Sequence, residues 1–177
     1  GRIWESGLVS AFNKAYDAVY PALDDPQLLA SLCKLTGKTV TASDLRSLYE
    51  NNVIRQVHDG ILACKIEGNE GMYQSCMAVA AIVLDEPGTT DEWLDWIFAD
   101  GDVRGGTLTG GNMVSIFAQK VDDDGFGDEA SPAYNAIWRE MFGSISDLLA
   151  LYPRYTKHQL VANPKFRKMF EAPVRLT

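Results

Sequence analysis

Histidine, cysteine and long apolar runs are what this sequence has least of. Its 177 residues contain two histidines, His58 and His158, and three cysteines, Cys33, Cys64 and Cys76. Two histidines fall short of the ligand set of an HD-type metal hydrolase, although His58-Asp59 has the matching dipeptide. The cysteine spacing fits no zinc module. The longest unbroken apolar run, Cys76 to Leu84, is nine residues. A membrane-spanning helix needs roughly 20, so no span is expected. Basic residues are also scarce: 16 Lys and Arg against 24 Asp and Glu give a net charge of −8. An excess of that size disfavours a general polyanion-binding surface. Nucleic acid is therefore not favoured, although a basic patch near the C-terminus leaves it open. The chain opens on Gly1 with no signal-peptide pattern. That leaves the compartment unknown: a soluble protein, cytoplasmic or secreted after processing.

What is present is helical periodicity. Trp4, Leu8, Phe12, Tyr16 and Val19 recur at three- and four-residue steps, one stripe of a helix over residues 3–20 that Pro21 ends. Asp25-Pro26 reads as a cap and first helical position, with Leu28, Leu29, Leu32 and Leu35 on one side and Gly37 as the stop. Thr41 and Asp44 have capping-box spacing. They open a helix of about 20 residues whose expected buried face is Leu45, Leu48, Tyr49, Ile54, Val57, Ile61 and Leu62. After the short loop 67–71, residues 71–84 are almost wholly apolar or small and predict a buried central helix. Thr89 and Glu92 suggest a second capping box, opening a helix to Phe98 with Trp93, Trp96 and Ile97 inward.

Residues 100–111 read as a glycine-rich loop, 112–120 as a helix and 121–130 as an acidic loop. Ser131-Pro132 starts a helix that Gly143-Ser144 could interrupt. Thr156 with Gln159, and Asn163-Pro164, suggest two last short helices. No pair of alternating apolar runs flanks a hairpin turn. The expected fold is all-α: one compact domain over residues 1–177, a bundle of about 7–9 helices around an apolar central helix at about 71–84. Helices 45–65 and 71–84 would form a hairpin with Cys64 and Cys76 near its closed end, which leaves a bridge between them open. Three reduced core thiols are the plainer reading.

Motifs of chemistry fail on inspection. Gly105 and Gly110 have phosphate-loop spacing, but Gly111-Asn112 stands where Lys and Ser or Thr are required. The acidic run 122–129 hints at an EF-hand, yet setting Gly125 at its sixth position puts Lys120 first, where a carboxylate is needed. No catalytic, cofactor-binding or metal-ligating set emerges, and no cofactor is implied.

Charge is unevenly distributed. Residues 1–77 hold 9 acids and 7 bases, residues 78–129 hold 12 acids and 2 bases, and residues 130–177 hold 3 acids and 7 bases. In the last segment Arg154, Lys157, Lys165, Arg167, Lys168 and Arg175 interleave with Tyr152, Tyr155, Phe166 and Phe170. Four arrangements follow. The aromatic rings face the core while the bases simply face water, the plainest reading; the bases face a partner; they fold over the chain's own acidic middle; or they meet the acidic belt of the next copy in a head-to-tail assembly. The expected function is a non-enzymatic helical interaction or assembly module, a structural subunit, secreted effector or adaptor. It would contact another protein or its own copies, with Arg154, Lys157, Lys165, Arg167 and Lys168 as candidate partner-binding residues. One alternative is a ligand-binding or hydrolytic bundle with a pocket near His58. A weaker one is an acidic nucleic-acid mimic, which needs the carboxylates of residues 85–129 on one exposed face.

Overall fold

The computed structural model describes residues 3–129 and 131–175, with side chains over 5–129 and 131–171. Trp4 and Arg175, two members of the sequence patterns, have side chains outside the described set. The chain is mostly helical. Helix α1 (Ile3–Val19) leads through a 3-10 turn (Tyr20–Asp24) into α2 (Pro26–Thr36). Then come α3 (Ala42–Tyr49), a π-helical turn (Glu50–Ile54) and α4 (Arg55–Leu62), in unbroken succession. They are followed by α5 (Met72–Leu84), α6 (Thr89–Phe98), α7 (Met113–Gln119), α8 (Pro132–Leu151) and α9 (Pro164–Arg175).

Most boundaries have local causes. The Asp25 carboxylate accepts from the backbone N–H groups of Gln27 and Leu28, and Gly37 closes α2 with φ 67°. Thr41 and Asp44 form a reciprocal capping box on α3. Ser131 caps α8, with Pro132 as its first residue. The Asn163 side chain accepts from the Lys165 N–H at the start of α9.

Other signals resolve differently. Thr89 does not cap α6; it is the first helical residue, and Gly88 precedes it. The neighbouring Thr90 hydroxyl instead accepts from the Glu86 N–H and donates to the Ala81 carbonyl, tying the end of α5 to the start of α6. Gly143-Ser144 does not interrupt α8, which is continuous for 20 residues. Thr156 and Gln159 open no α-helix; a 3-10 turn (Leu160–Ala162) follows them. A small hairpin does exist. Val103–Arg104 (β1) pairs with Thr107–Leu108 (β2), turning at Gly105 and Gly106, both with positive φ as a type I′ turn demands. Two-residue strands are too short to show alternation, so no sequence pattern announced them.

Helix α5 lies at the centre and packs against α1, α4, α6 and α8. It is apolar on nearly all sides, and residues 74–81 and Leu84 are buried. A helix without a polar face is stable only with neighbours all round. Its one large polar residue, Gln74, is fully buried and satisfied: its Oε1 accepts from the Gly71 N–H and its Nε2 donates to the Gly111 carbonyl. The core continues through Trp93, Ile97, Phe117, Trp138, Phe142, Ile145 and Phe166. The three cysteines carry no disulfide. Cys76 is buried, and burial pushes its thiol up to about 11 against a lowering hydrogen bond from Ser10. Cys64 lies past the end of α4 with φ 51°, not within a helix.

Candidate interaction surface

The N-terminal third is built differently from the rest. Between residues 5 and 53 the only buried apolar side chain is Tyr16, and α2 and α3 bury no residue at all. Of the thirteen large apolar side chains exposed among the described residues, seven lie before residue 49: Leu8, Phe12, Val19, Tyr20, Leu28, Leu35 and Leu48. Exposed apolar residues scattered singly are ordinary, whereas a contiguous patch marks a contact site. These are mostly contiguous. Phe12, Val19, Leu28 and Leu48 join Leu23, Leu32, Leu45 and the Tyr16–Tyr49 ring pair in lining one open groove of about 610 Å³.

The orientation of α1 explains the patch. Its buried side, turned to α5, carries Ser6, Asn13 and Tyr16. Its outward side carries Leu8, Phe12, Ala15 and Val19, spaced as one helical stripe. The helix thus packs on α5 with one face and leaves an apolar stripe exposed on the other.

The π turn sets the groove floor. One extra residue in a helical turn rotates everything beyond it by about 100° relative to an uninterrupted α-helix. Before the turn, Leu45, Leu48 and Tyr49 face the groove. From its last residue onward, Ile54, Val57 and Ile61 face the core and are 0–2% exposed. The sequence expectation placed all of them on one buried face; Leu48 is in fact 63% exposed. Periodicity alone could not locate the extra residue.

Under the groove the tyrosine rings stack, with centroids 4.2 Å apart and planes 8° from parallel. The Tyr16 hydroxyl donates to Glu50 at 3.1 Å, and the Tyr49 hydroxyl donates to the Asn13 side-chain oxygen at 3.3 Å. Burial, then the Glu50 carboxylate, pushes the Tyr16 phenol well above its usual range, so it stays a donor. The groove itself is left almost purely apolar. Asp24 and Asp25 line a separate shallow depression with Pro21, Ala22, Pro26 and Gln27, and Asp17 lines another cleft with Tyr20, residues 82–85 and residues 151–154. Arg46 pairs with Asp24 at 2.5 Å and lies over the Tyr20 ring at 4.4 Å. Asp17 and Asp25 make no ion pair among the described residues.

The C-terminal bases take the intramolecular arrangement. Arg154 binds Asp85 at 2.8 Å, and Lys157 binds Asp95 at 2.5 Å. Lys165 donates to the carbonyls of Val121 and Ala118, 3.9 Å from the Asp123 carboxylate, and Lys168 donates to the Asp123 carbonyl. Arg167 is exposed, with no ion pair among the described residues. The segment following α8 thus straps the acidic belt of its own chain. Asp85 and Asp95 also accept from the Tyr152 and Tyr155 hydroxyls, and Glu129 accepts from the Trp138 indole. Those three carboxylates have internal partners, whereas Glu92, Asp100, Asp102, Asp122 and Asp128 are exposed.

His58 is half-buried. Its ring lies flat on Trp93, centroids 4.4 Å apart, and its Nδ1 is 2.9 Å from the Asp59 carboxylate. His158 stacks on Phe98 at 4.2 Å. Among the described residues no three His, Cys, Asp or Glu side chains converge as a metal site would require. No described helix is long and apolar enough to cross a membrane. Compared with known proteins, the chain matches no family model, no curated sequence and no solved structure.

Proposed function

We propose that the protein is a helical interaction or assembly module that docks another protein through the apolar α1–α2–α3 face. The observation carrying this reading is the groove lined by Phe12, Val19, Leu28, Leu45 and Leu48 beside an otherwise well-filled core. Water is a poor neighbour for that surface, at about 25 cal/mol for each Å² left uncovered. A partner that covers it gains that free energy, and the core does not depend on the exposed side chains. The reading draws its support from this face more than from the C-terminal bases, four of which already bind their own chain. Among the five candidate partner-binding bases Arg167 is exposed and makes no ion pair among the described residues.

The face can be tested by site-specific photo-cross-linking. A benzophenone amino acid at position 12 or 48, introduced into the protein in its native source, should cross-link a defined partner. The same probe at Leu151, 82% exposed and outside the groove, serves as the control. Equal, unspecific labelling from all three positions would remove the reading.

A further inference from the structure

Helix α1 turns its polar side inward, and on the flank away from the apolar groove that side borders a cleft. Leu8, Phe12 and Val19 lie outward and more than half exposed, while Ser6 and Asn13 are 2% and 0% exposed. A helix packed only for cover would take the opposite rotation, because apolar surface is what gains from leaving water. We infer that the serines of α1 form one wall of a binding site for a small zwitterion, a free amino acid, held between α1, α5 and α8. The inference does not rest on the docking face.

The cleft has a volume of about 300 Å³, enough for a small ligand. Helices α1 and α8 both pack on α5, and the cleft opens between them. Small side chains leave the room: Ser6, Gly7 and Ser10 line it from α1, Ser75 from α5 and Ser144 from α8. A Cβ added at Gly7 would meet nothing within 4 Å. Ser10 is engaged with the Cys76 thiol. Ser75 is only 7% exposed, yet its hydroxyl makes no hydrogen bond among the described residues, and neither does that of Ser144. A hydroxyl as deep as that of Ser75 is costly to leave unpaired, so its partner comes from whatever fills the cleft. Charge then narrows the ligand. Lys14 stands on the α1 wall and Glu140 on the α8 wall; both are exposed, and neither makes an ion pair among the described residues. An anion alone would meet Glu140, a cation alone would meet Lys14, and a neutral polyol would leave both unanswered. A zwitterion answers both, with its carboxylate toward Lys14 and its ammonium toward Glu140. The free serine hydroxyls can donate to the one or accept from the other. Met72 and Met141, the large apolar residues of the lining, suit an aliphatic side chain.

The two methionines also report on the cleft. The whole chain, with isotope-labelled methionine methyl groups, is titrated with the standard free L-amino acids and followed by NMR. Aliphatic amino acids should shift the Met72 and Met141 methyls saturably and leave those of the buried Met113 and Met169 in place. The deaminated and the decarboxylated analogue of the best binder should each bind about tenfold more weakly. Lys14→Gln and Glu140→Gln should each weaken the amino acid itself by a similar factor, and Ser75→Ala severalfold. Gly7→Leu should abolish binding by filling the cleft. It should not unfold the chain, since leucine is a better helix former than glycine and Gly7 lies within α1; circular dichroism verifies this.

Equal binding of either single-charge analogue would overturn the zwitterion, as would saturable shifts of the same two methyls with glucose. Shifts that persist in Gly7→Leu would place the binding elsewhere and overturn the site. So would the absence of any shift with every amino acid at millimolar concentration, which would leave water as the partner of Ser75. None of these results bears on the α1–α2–α3 face, whose test is the cross-link from positions 12 and 48.

Discussion

The layer formed by α1, α2 and α3 and the body formed by α4 to α9 contain similar kinds of residue arranged to opposite effect. In the body, apolar side chains meet one another: Trp138, Phe142 and Ile145 from α8 lie within 1% of full burial, beside the all-buried stretch of α5. In the N-terminal layer, equally large side chains at equally regular spacing lie open, and the polar Ser6 and Asn13 take the inner position on α1. Amphipathic spacing therefore specifies a helix and a stripe, not the direction the stripe points. A folded domain hides a stripe on itself when it can. A stripe that remains outside is the observation on which the proposed docking face rests.

The sharpest contrast should appear in stability. Trp138→Ala removes a 1%-exposed indole that packs on Phe142 and donates to Glu129. It should cost about 3–5 kcal/mol by urea denaturation. A cost below about 1 kcal/mol would mean that the body is far looser than its packing implies.

Somewhat smaller is the effect of Gln74→Ala, which strands the Gly71 N–H and the Gly111 carbonyl. Each lost partner should cost about 1–3 kcal/mol by the same denaturation, and Gln74→Glu, which sets an acid in a fully buried site facing the Gly111 carbonyl, should recover none of it at neutral pH.

A pH dependence should locate the strap between the C-terminal segment and the acidic belt. Burial raises the Asp95 carboxyl, but hydrogen bonds from Lys157 and Tyr155, with the Lys157 and His158 charges, reverse this and hold it below its ordinary value. A group depressed in the folded state contributes stability that is present above its unfolded pKa and lost as pH falls through the folded one. The hydrogen-exchange protection factors of residues 152–160, which remove the intrinsic pH dependence of amide exchange, should therefore fall as pH drops below about 4. In Asp95→Asn they should already be low at neutral pH, with that step gone. An unchanged step in the variant would assign it to another carboxylate.

Least of all should be felt at the open face. Phe12→Ser and Leu48→Ser should each change stability by no more than about 0.5 kcal/mol, since both side chains are more than half exposed. A loss of 2 kcal/mol or more would show that the groove is part of the core, and the contrast between the two regions would disappear.

Capped helices were readable because their causes are local. Asp25-Pro26, Thr41 with Asp44, and Ser131-Pro132 each satisfy backbone groups within three residues. The charge strap was readable only as one of four arrangements, because bases can stay in water and opposite charges in two segments attract whether the segments share a chain or not. The groove was not read at all. One signal was present: α1 has polar residues, Ser6 and Asn13, on the side opposite Leu8, Phe12 and Ala15, but sequence gives no reason to assign the polar side inward. Thr89 misled because α6 begins one residue earlier than the capping-box spacing implies: the Glu92 N–H that a Thr89 cap would take bonds the Gly88 carbonyl instead.

The amino-acid order by itself determined that this chain is helical, where most of its helices begin, and that residues 72–84 form its buried middle. Those outcomes follow from steric and hydrogen-bonding preferences acting over a few residues and from apolar surface seeking cover. Tertiary structure alone decided which cover each stripe received. The π turn at Glu50–Ile54 rotated one half of a long helix against the other, and α5 accepted the polar side of α1. Both choices depend on shapes assembled from distant parts of the chain, and no local window contains them.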